Sequence, residues 1–351
     1  MCMSTQFVLI SNPTTIFYKT GFGDPLSRER DAWMLLRGDK TYFFTDGRFE
    51  NKALIEELAH KDIEFRLLSA EKRLAQHLKK LVGESEVTFE KNDLTVAEME
   101  QFREKGVKLE GEYESDSLRV VKSDEEILHI KKACELVDSL LASVIPQIKI
   151  GMNEKEIFRL LYSQLPTSEE MIEHAFTPII AIDENSAVAH YDTKAHGDKR
   201  VKQGSLILID CGIRYKNYCS DITRMISAGE PSAEVKGAYA ALFTAQQQAI
   251  TALSTLSTYK EVDELCRASL LNADFPVYSH ATGHGIGIQV HENPRFSPIS
   301  TDTIKPGNVI TVEPGIYMPE KWGMRLEDTV LINTDRSVTS LTARNRELII
   351  I

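Results

Sequence analysis

No apolar run in this 351-residue sequence approaches the ~20 residues that a membrane span requires. The opening Met1-Cys2-Met3-Ser4-Thr5-Gln6 lacks a basic stretch followed by an apolar one, so no signal peptide is expected. Positive charge is short: 41 Lys and Arg face 52 Asp and Glu, a net charge of -11. That balance argues against a nucleic-acid partner and against binding to anionic membranes, both of which need a basic surface. Cysteine is scarce too. Cys2, Cys134, Cys211, Cys219 and Cys266 are odd in number and form no CxxC. They imply neither a disulfide framework nor a zinc knuckle, and a reducing, cytoplasmic compartment is expected.

What is present is enough chain for two domains, each with its own core. Residues 1–116 read as a small α/β domain. Phe7–Ile10, Ala32–Leu36 and Thr41–Phe44 have strand composition, and Val87–Phe89 is a further short strand. Gly47–His60, Ser69–Val82 and Thr95–Lys105 have apolar residues at helical spacing. This half shows no metal or nucleophile constellation, and His60 and His77 read as solvated. The polar stretch Gly111–Ser117 marks the boundary.

The second domain, 117–351, opens with a capping box, Ser123-x-x-Glu126. The helix behind it carries Ile127, Ile130, Cys134, Val137, Leu141 and Val144 on one face, so Cys134 reads as core. A second helix starts at Asn153 with Glu156 as its third residue. An internal repeat follows. Val201–Ile213 resembles Ile304–Ile316, each a turn, a strand, a carboxylate and a glycine, and Asp221-Ile222-Thr223 resembles Glu327-Asp328-Thr329. Helices starting at Ser232 and at the capping box Thr258-x-x-Glu261 repeat the earlier pair. Residues 123–229 and 232–335 thus read as two copies of one α+β unit. Closing one on the other would gather Asp210, Asp221, Glu313 and Glu327 near a pseudo-two-fold axis.

Between the copies lies Ser279–Pro294, with His280, His284 and His291 among glycines. A neutral imidazole is a common metal ligand and proton carrier. Asp210 ends a run, Leu206–Ile209, that reads as fully buried. Arg325, Glu327 and Thr329 should share one face of a single strand. A buried carboxylate is costly unless neutralised. For any one of these acids an ion pair with Arg214, Arg224 or Arg325 would suffice. Four repeat-related acids beside a histidine call for about two divalent cations. That donor set suits Mn²⁺, Co²⁺, Fe²⁺ or Zn²⁺ without choosing among them.

Asp210-x-Gly, Ser220–Arg224, His280-x-x-Gly-His284-Gly-Ile-Gly, Glu313-Pro314-Gly315 and Arg325–Thr329, in that order, resemble the five-ligand motifs of the pita-bread (M24) metallopeptidases. Tyr18-x-Thr-Gly21-Phe22 and Thr45-Asp46-x-Arg48-Phe49 resemble the creatinase-type domain that precedes this module in the proline-directed branch. The resemblance implies an α+β pita-bread fold with an internal pseudo-two-fold repeat, behind a smaller α/β domain. It implies metal ligands Asp210, Asp221, His284, Glu313 and Glu327, and two divalent ions, Mn²⁺ first, with Co²⁺ or Zn²⁺ as alternatives. Glu313 would also carry a proton, as a general base tuned by the cations towards neutral pH. His190 would line the cleft, His291 would bond the scissile carbonyl or the tetrahedral intermediate, and His280 and Arg325 would bind substrate. A homodimer is implied as well.

The implied reaction is removal of the first residue from peptides with proline second, an Xaa-Pro aminopeptidase. Alternatives are a prolidase restricted to Xaa-Pro dipeptides and a non-catalytic pita-bread binding module. The intact ligand set speaks against the last, and against a metal-free, creatinase-like hydrolase. Ala181–Asn185 stands where the family has a Ser-Gly turn, and Ala189 where it has a common proline, which bears on cleft shape and not on the ligands. The connection around Leu165–Glu173 is short. Cys211 and Cys219 read as packing residues, with redox sensitivity as the alternative, and His174 and His196 as loop or surface residues.

Overall fold

The computed structural model describes residues 6–166, 171–342 and 346–351. Cys2, with the rest of the opening stretch up to Thr5, and the middle of the 165–173 connection lie outside the described residues. The chain divides into two compact units between Leu118 and Arg119.

The first unit is a six-stranded mixed sheet in the spatial order Ile63–Leu68, Lys40–Asp46, Ala32–Arg37, Phe7–Ile10, Glu86–Phe89, Lys108–Glu112. Both faces are buried, one by a cluster containing Trp33, Phe44 and Leu78, the other by one containing Met34, Phe43 and Leu58. Two predicted helices are shorter than their periodicity suggests. The first runs Lys52–His60, because the Asn51 side chain accepts from Leu54 N–H and fixes the start there. The second runs Leu74–Val82, because residues 69–72 close a turn of their own. The sequence reading missed the helix Pro13–Thr20 and the strands Ile63–Leu68 and Lys108–Glu112. His77 is buried, not solvated, with its ring 5.7 Å from Phe44. Gly21, in the Tyr18–Phe22 motif, takes φ +78° to end the helix in the left-handed region that glycine tolerates.

The second unit carries the repeat. Capping boxes at Ser123/Glu126, Asn153/Glu156 and Thr258/Glu261 are all formed. In one half the helices Asp124–Val144 and Glu154–Ser163 cover a four-stranded sheet. In the other, Ala233–Ala252 and Tyr259–Asn272 cover a five-stranded sheet. Strand Leu206–Cys211 pairs antiparallel with Ile222–Ser227, and strand Val309–Val312 pairs antiparallel with Asp328–Ile332. Among the described residues a bridge from Thr223 to Glu327 joins the two sheets. The predicted strand through Arg325, Glu327 and Thr329 is interrupted: one strand ends at Arg325 and the next starts at Asp328. Glu327 instead bonds Thr223 across the junction. His174 ends a short strand, Ile172–His174, with its ring 4.2 Å from Tyr162, and is half-buried where a loop was expected. His196 is exposed, as read. No helix among the described residues is long and apolar enough to cross a membrane.

Candidate metal centre

Each predicted acidic ligand sits at or near the end of a strand or in the gap between two. Asp210 is the penultimate residue of the wholly buried strand Leu206–Cys211. Asp221 fills the gap between Tyr218–Cys219 and Ile222–Ser227, and Glu327 the gap in the second repeat. Glu313 follows Val309–Val312, and its N–H is tied to Thr282 O at 2.8 Å. His284 stands between two glycines in the strand Gly283–Gly285. A Cβ at Gly283 would lie 2.0 Å from Thr311 O, and one at Gly285 2.2 Å from Asn293 O. The glycines around His284 let its strand slot between neighbours at backbone contact.

The structure gathers these five side chains into one cluster. Donor atoms of Asp221, His284 and Glu327 lie within 4.8 Å of one another. His284 Nε2 is 3.2 Å from Glu313 Oε1 and 3.8 Å from Asp221 Oδ2. Asp210 joins through its charge, felt at Asp221 and Glu327, and is ion-paired to Arg325. Burial and mutual repulsion raise the carboxyl groups of Asp221 and Glu327 well above the ordinary range. Burial raises Asp210 also, against the pull of Arg325. Glu313 goes the other way. Burial opposes its charge, but the His284 hydrogen bond and the positive groups around it win and hold it at about 2. The protein's own groups therefore set Glu313 low, not near neutral.

The arrangement fits a divalent cation on grounds internal to it. Asp210 Oδ1 and Asp221 Oδ1 are both buried without a hydrogen-bond partner. A buried carboxylate oxygen left unpaired is expensive, and here two belong to acids of one charge cluster. Arg214 and Arg224 do not neutralise the cluster. Arg214 pairs with Glu173, and Arg224 pairs with Asp328 and donates to Glu327 O.

The predicted cleft residues border this cluster. The His291 ring lies 4.4 Å from His284. Partial burial, then the His284 charge, lower His291 to about 4. His190 is exposed, and its charge reaches Asp210 and His291. His280 and Arg325 meet through Tyr317, a residue the sequence reading missed. Arg325 Nη1 donates to Tyr317 Oη at 3.1 Å, the Tyr317 hydroxyl donates to His280 Nε2 at 2.9 Å, and His280 Nδ1–H donates to Ala281 O at 2.7 Å. This chain fixes His280 as one neutral tautomer, and burial lowers its pKa in the same sense. Thr223 was also missed as an orienting group: it takes Arg325 Nε–H at 3.1 Å and gives its own proton to Glu327 Oε2 at 2.7 Å. A Thr in the second position after a ligand Asp was the only signal for it.

Residues 129–334 match metallopeptidase family M24, and residues 4–121 match the creatinase/prolidase N-terminal domain. The chain belongs to family M24. Among its M24 relatives is an Xaa-Pro dipeptidase of Pyrococcus furiosus, 32% identical over 99% of this chain and 96% of that protein. An X-Pro aminopeptidase of Thermotoga maritima superimposes with a TM-score of 0.83 at 29% identity, covering 99% and 98% of the two chains. The prolidase of Pyrococcus horikoshii gives 0.84 at 30%, covering 99% and 96%. M24 membership gives the chain the pita-bread fold that its motifs suggested, behind a creatinase-type domain. It also makes divalent metal the natural occupant of the carboxylate–histidine cluster.

Proposed function

We propose that this M24 protein is an Xaa-Pro dipeptidase, hydrolysing the peptide bond before proline. The observation that carries the chemistry is the cluster of four carboxylates and His284 with two buried, unpaired carboxylate oxygens. Proline specificity rests on likeness to proline-directed peptidases over nearly the whole length of the chain. The sequence alone favoured an aminopeptidase. The Xaa-Pro dipeptidase of P. furiosus and the P. horikoshii prolidase support the dipeptidase better, and the T. maritima structure keeps the aminopeptidase as the second reading.

Asp210, Asp221, His284, Glu313 and Glu327 would hold two divalent ions, of which Mn²⁺, Co²⁺ and Zn²⁺ are the candidates. Bound there, such ions supply Lewis acidity and lower the pKa of water towards neutral. The protein's residues do the rest. Glu313 accepts the proton of the attacking water and delivers it to the departing proline nitrogen, so that a C–O bond forms as the C–N bond breaks. His291, neutral at pH near 7, donates a hydrogen bond to the developing oxyanion. His190, His280 and Arg325 orient the peptide, and Arg325 keeps its charge throughout. A cytoplasmic homodimer belongs to the same reading and rests on family resemblance.

The test is hydrolysis by chelator-treated protein with each ion returned, offered Xaa-Pro dipeptides and longer Xaa-Pro-Yaa peptides. Restored cleavage of the dipeptides alone is expected. Release of the first residue from the longer peptides makes it an aminopeptidase. No cleavage with any ion refutes the proposal and favours a non-catalytic module.

A further inference from the structure

We propose that Glu154 and Tyr191 form a positioning clamp that aims His190 into the cleft, an inference that rests on the proposed peptidase reading. Among the described residues nothing bonds the exposed His190 ring, so its place is set by the backbone on either side. On one side Ala189 O is held by Arg325 Nη1 at 3.1 Å. On the other the Tyr191 hydroxyl shares its one proton between His196 O at 2.7 Å and Glu154 Oε2 at 3.1 Å, and accepts from Asn185 Nδ2 at 2.9 Å. Glu154 is fully buried, the first residue of the helix Glu154–Ser163.

A buried carboxylate needs strong compensation. Both oxygens of Glu154 have it. Oε1 accepts from Ile182 N–H at 2.7 Å and Asn185 Nδ2 at 2.9 Å, and Oε2 from the Tyr191 hydroxyl and Lys199 N–H at 3.2 Å. Every one of these donors belongs to residues 182–199, the segment that carries His190. A side chain serving only the core would spread its bonds over the elements packed on it. This one gathers four donors from the one stretch that carries His190. Beyond it, Ser186 exchanges hydrogen bonds with the Gly323 backbone at 2.8 and 2.9 Å, and a Cβ at Gly323 would lie 2.0 Å from Ser186 O. The loop is thus held at several points, and Tyr191 supplies the side-chain tie next to His190.

The test is a double-mutant cycle on the metal-loaded enzyme with an Xaa-Pro dipeptide. Tyr191→Phe keeps the ring and removes the hydroxyl, and it should lower kcat/KM about tenfold, within what small misplacement of a substrate-orienting group costs. In a His190→Ala background the same change should alter kcat/KM by less than about twofold, because the group it aims is gone. Glu154→Gln should show the same non-additivity, and Tyr191→Phe covers the case in which that variant does not fold. Backbone amide exchange across 183–192 in the metal-free protein, faster in Tyr191→Phe, reads the clamp without activity. Equal losses in both backgrounds, full activity of Tyr191→Phe alone, or unchanged exchange overturns the clamp. A native protein that cleaves no Xaa-Pro peptide refutes the proposed function instead, and the exchange measurement still decides the clamp.

Discussion

Replacing Asp221 with asparagine should stabilise the metal-free protein while abolishing its activity. Asp221 is buried beside Glu327, Asp210 and Glu313, and burial first, then those charges, raises its carboxyl. Two unit charges 4.8 Å apart, the limit that holds for Asp221 and Glu327, repel by roughly 3.5 kcal/mol at an effective dielectric of ~20. His284 and Arg325 offset part of this, and proton uptake limits the rest, leaving about 1–3 kcal/mol for one neutralised acid. The pH dependence follows from the direction of the shift. A carboxyl whose folded pKa is raised stabilises fully below its unfolded value of about 4 and loses that contribution as pH rises through the folded value. The amide does not titrate, so its advantage should be absent near pH 4 and present near pH 8. For a domain of this size about 2–4 °C in Tm accompanies each kcal/mol, which predicts a rise of about 2–12 °C at the higher pH. Thermal unfolding of the chelator-treated native and Asp221→Asn proteins across that range is the assay, repeated with Mn²⁺. The native protein should then gain about 2.7 kcal/mol when free ion reaches about 100 times its Kd, and the variant little. A variant Tm at or below the native value near pH 8, or the same gain at both pH values, refutes the electrostatic account.

Glu313→Gln should have the opposite effect on metal-free stability, because His284 stabilises the charged Glu313; unfolding near neutral pH should show a lower Tm, and turnover should fall by about 10²-fold or more. Gly323→Ala should destabilise by about 1–3 kcal/mol through the clash with Ser186 O, checked by denaturant unfolding, and should lower activity as the 183–187 segment shifts. Cys134, Cys211, Cys219 and Cys266 are buried with their thiols raised chiefly by burial, so a Cys2→Ser variant should give no fast reaction with a thiol reagent until it is unfolded. Rapid labelling of the native variant would revive a redox role for Cys211 or Cys219.

Much was legible in the sequence where the determinants are local. The capping boxes at Ser123, Asn153 and Thr258 are i,i+3 patterns, and all three helices start where those patterns place them. The repeat made Asp210 and Glu313, and Asp221 and Glu327, correspond, and a repeat that closes on itself must bring equivalents together. Where local pattern competed with a tertiary contact, the reading failed. Helical periodicity extended two N-terminal helices backwards through turns that Asn51 and Ser69 close. His77 looked solvated because charged neighbours surround it in sequence, but its position on the helix faces Phe44.

The sequence by itself determined the donor types, their order and the helices that frame them, since each rests on residues a few positions apart or on a repeat. Only the tertiary structure decided what orients those donors. Tyr317 reaches Arg325 and His280 because two short strands, Gly315–Met318 and Trp322–Arg325, pair in one register, and register depends on which edges meet. Glu154 reads in sequence as an ordinary acid in the first turn of a helix. In the fold it spans about thirty to forty positions to grip the segment that holds His190. Such bonds cross long loops of chain, and no pattern of neighbours records them, because their geometry exists only once the sheets have closed.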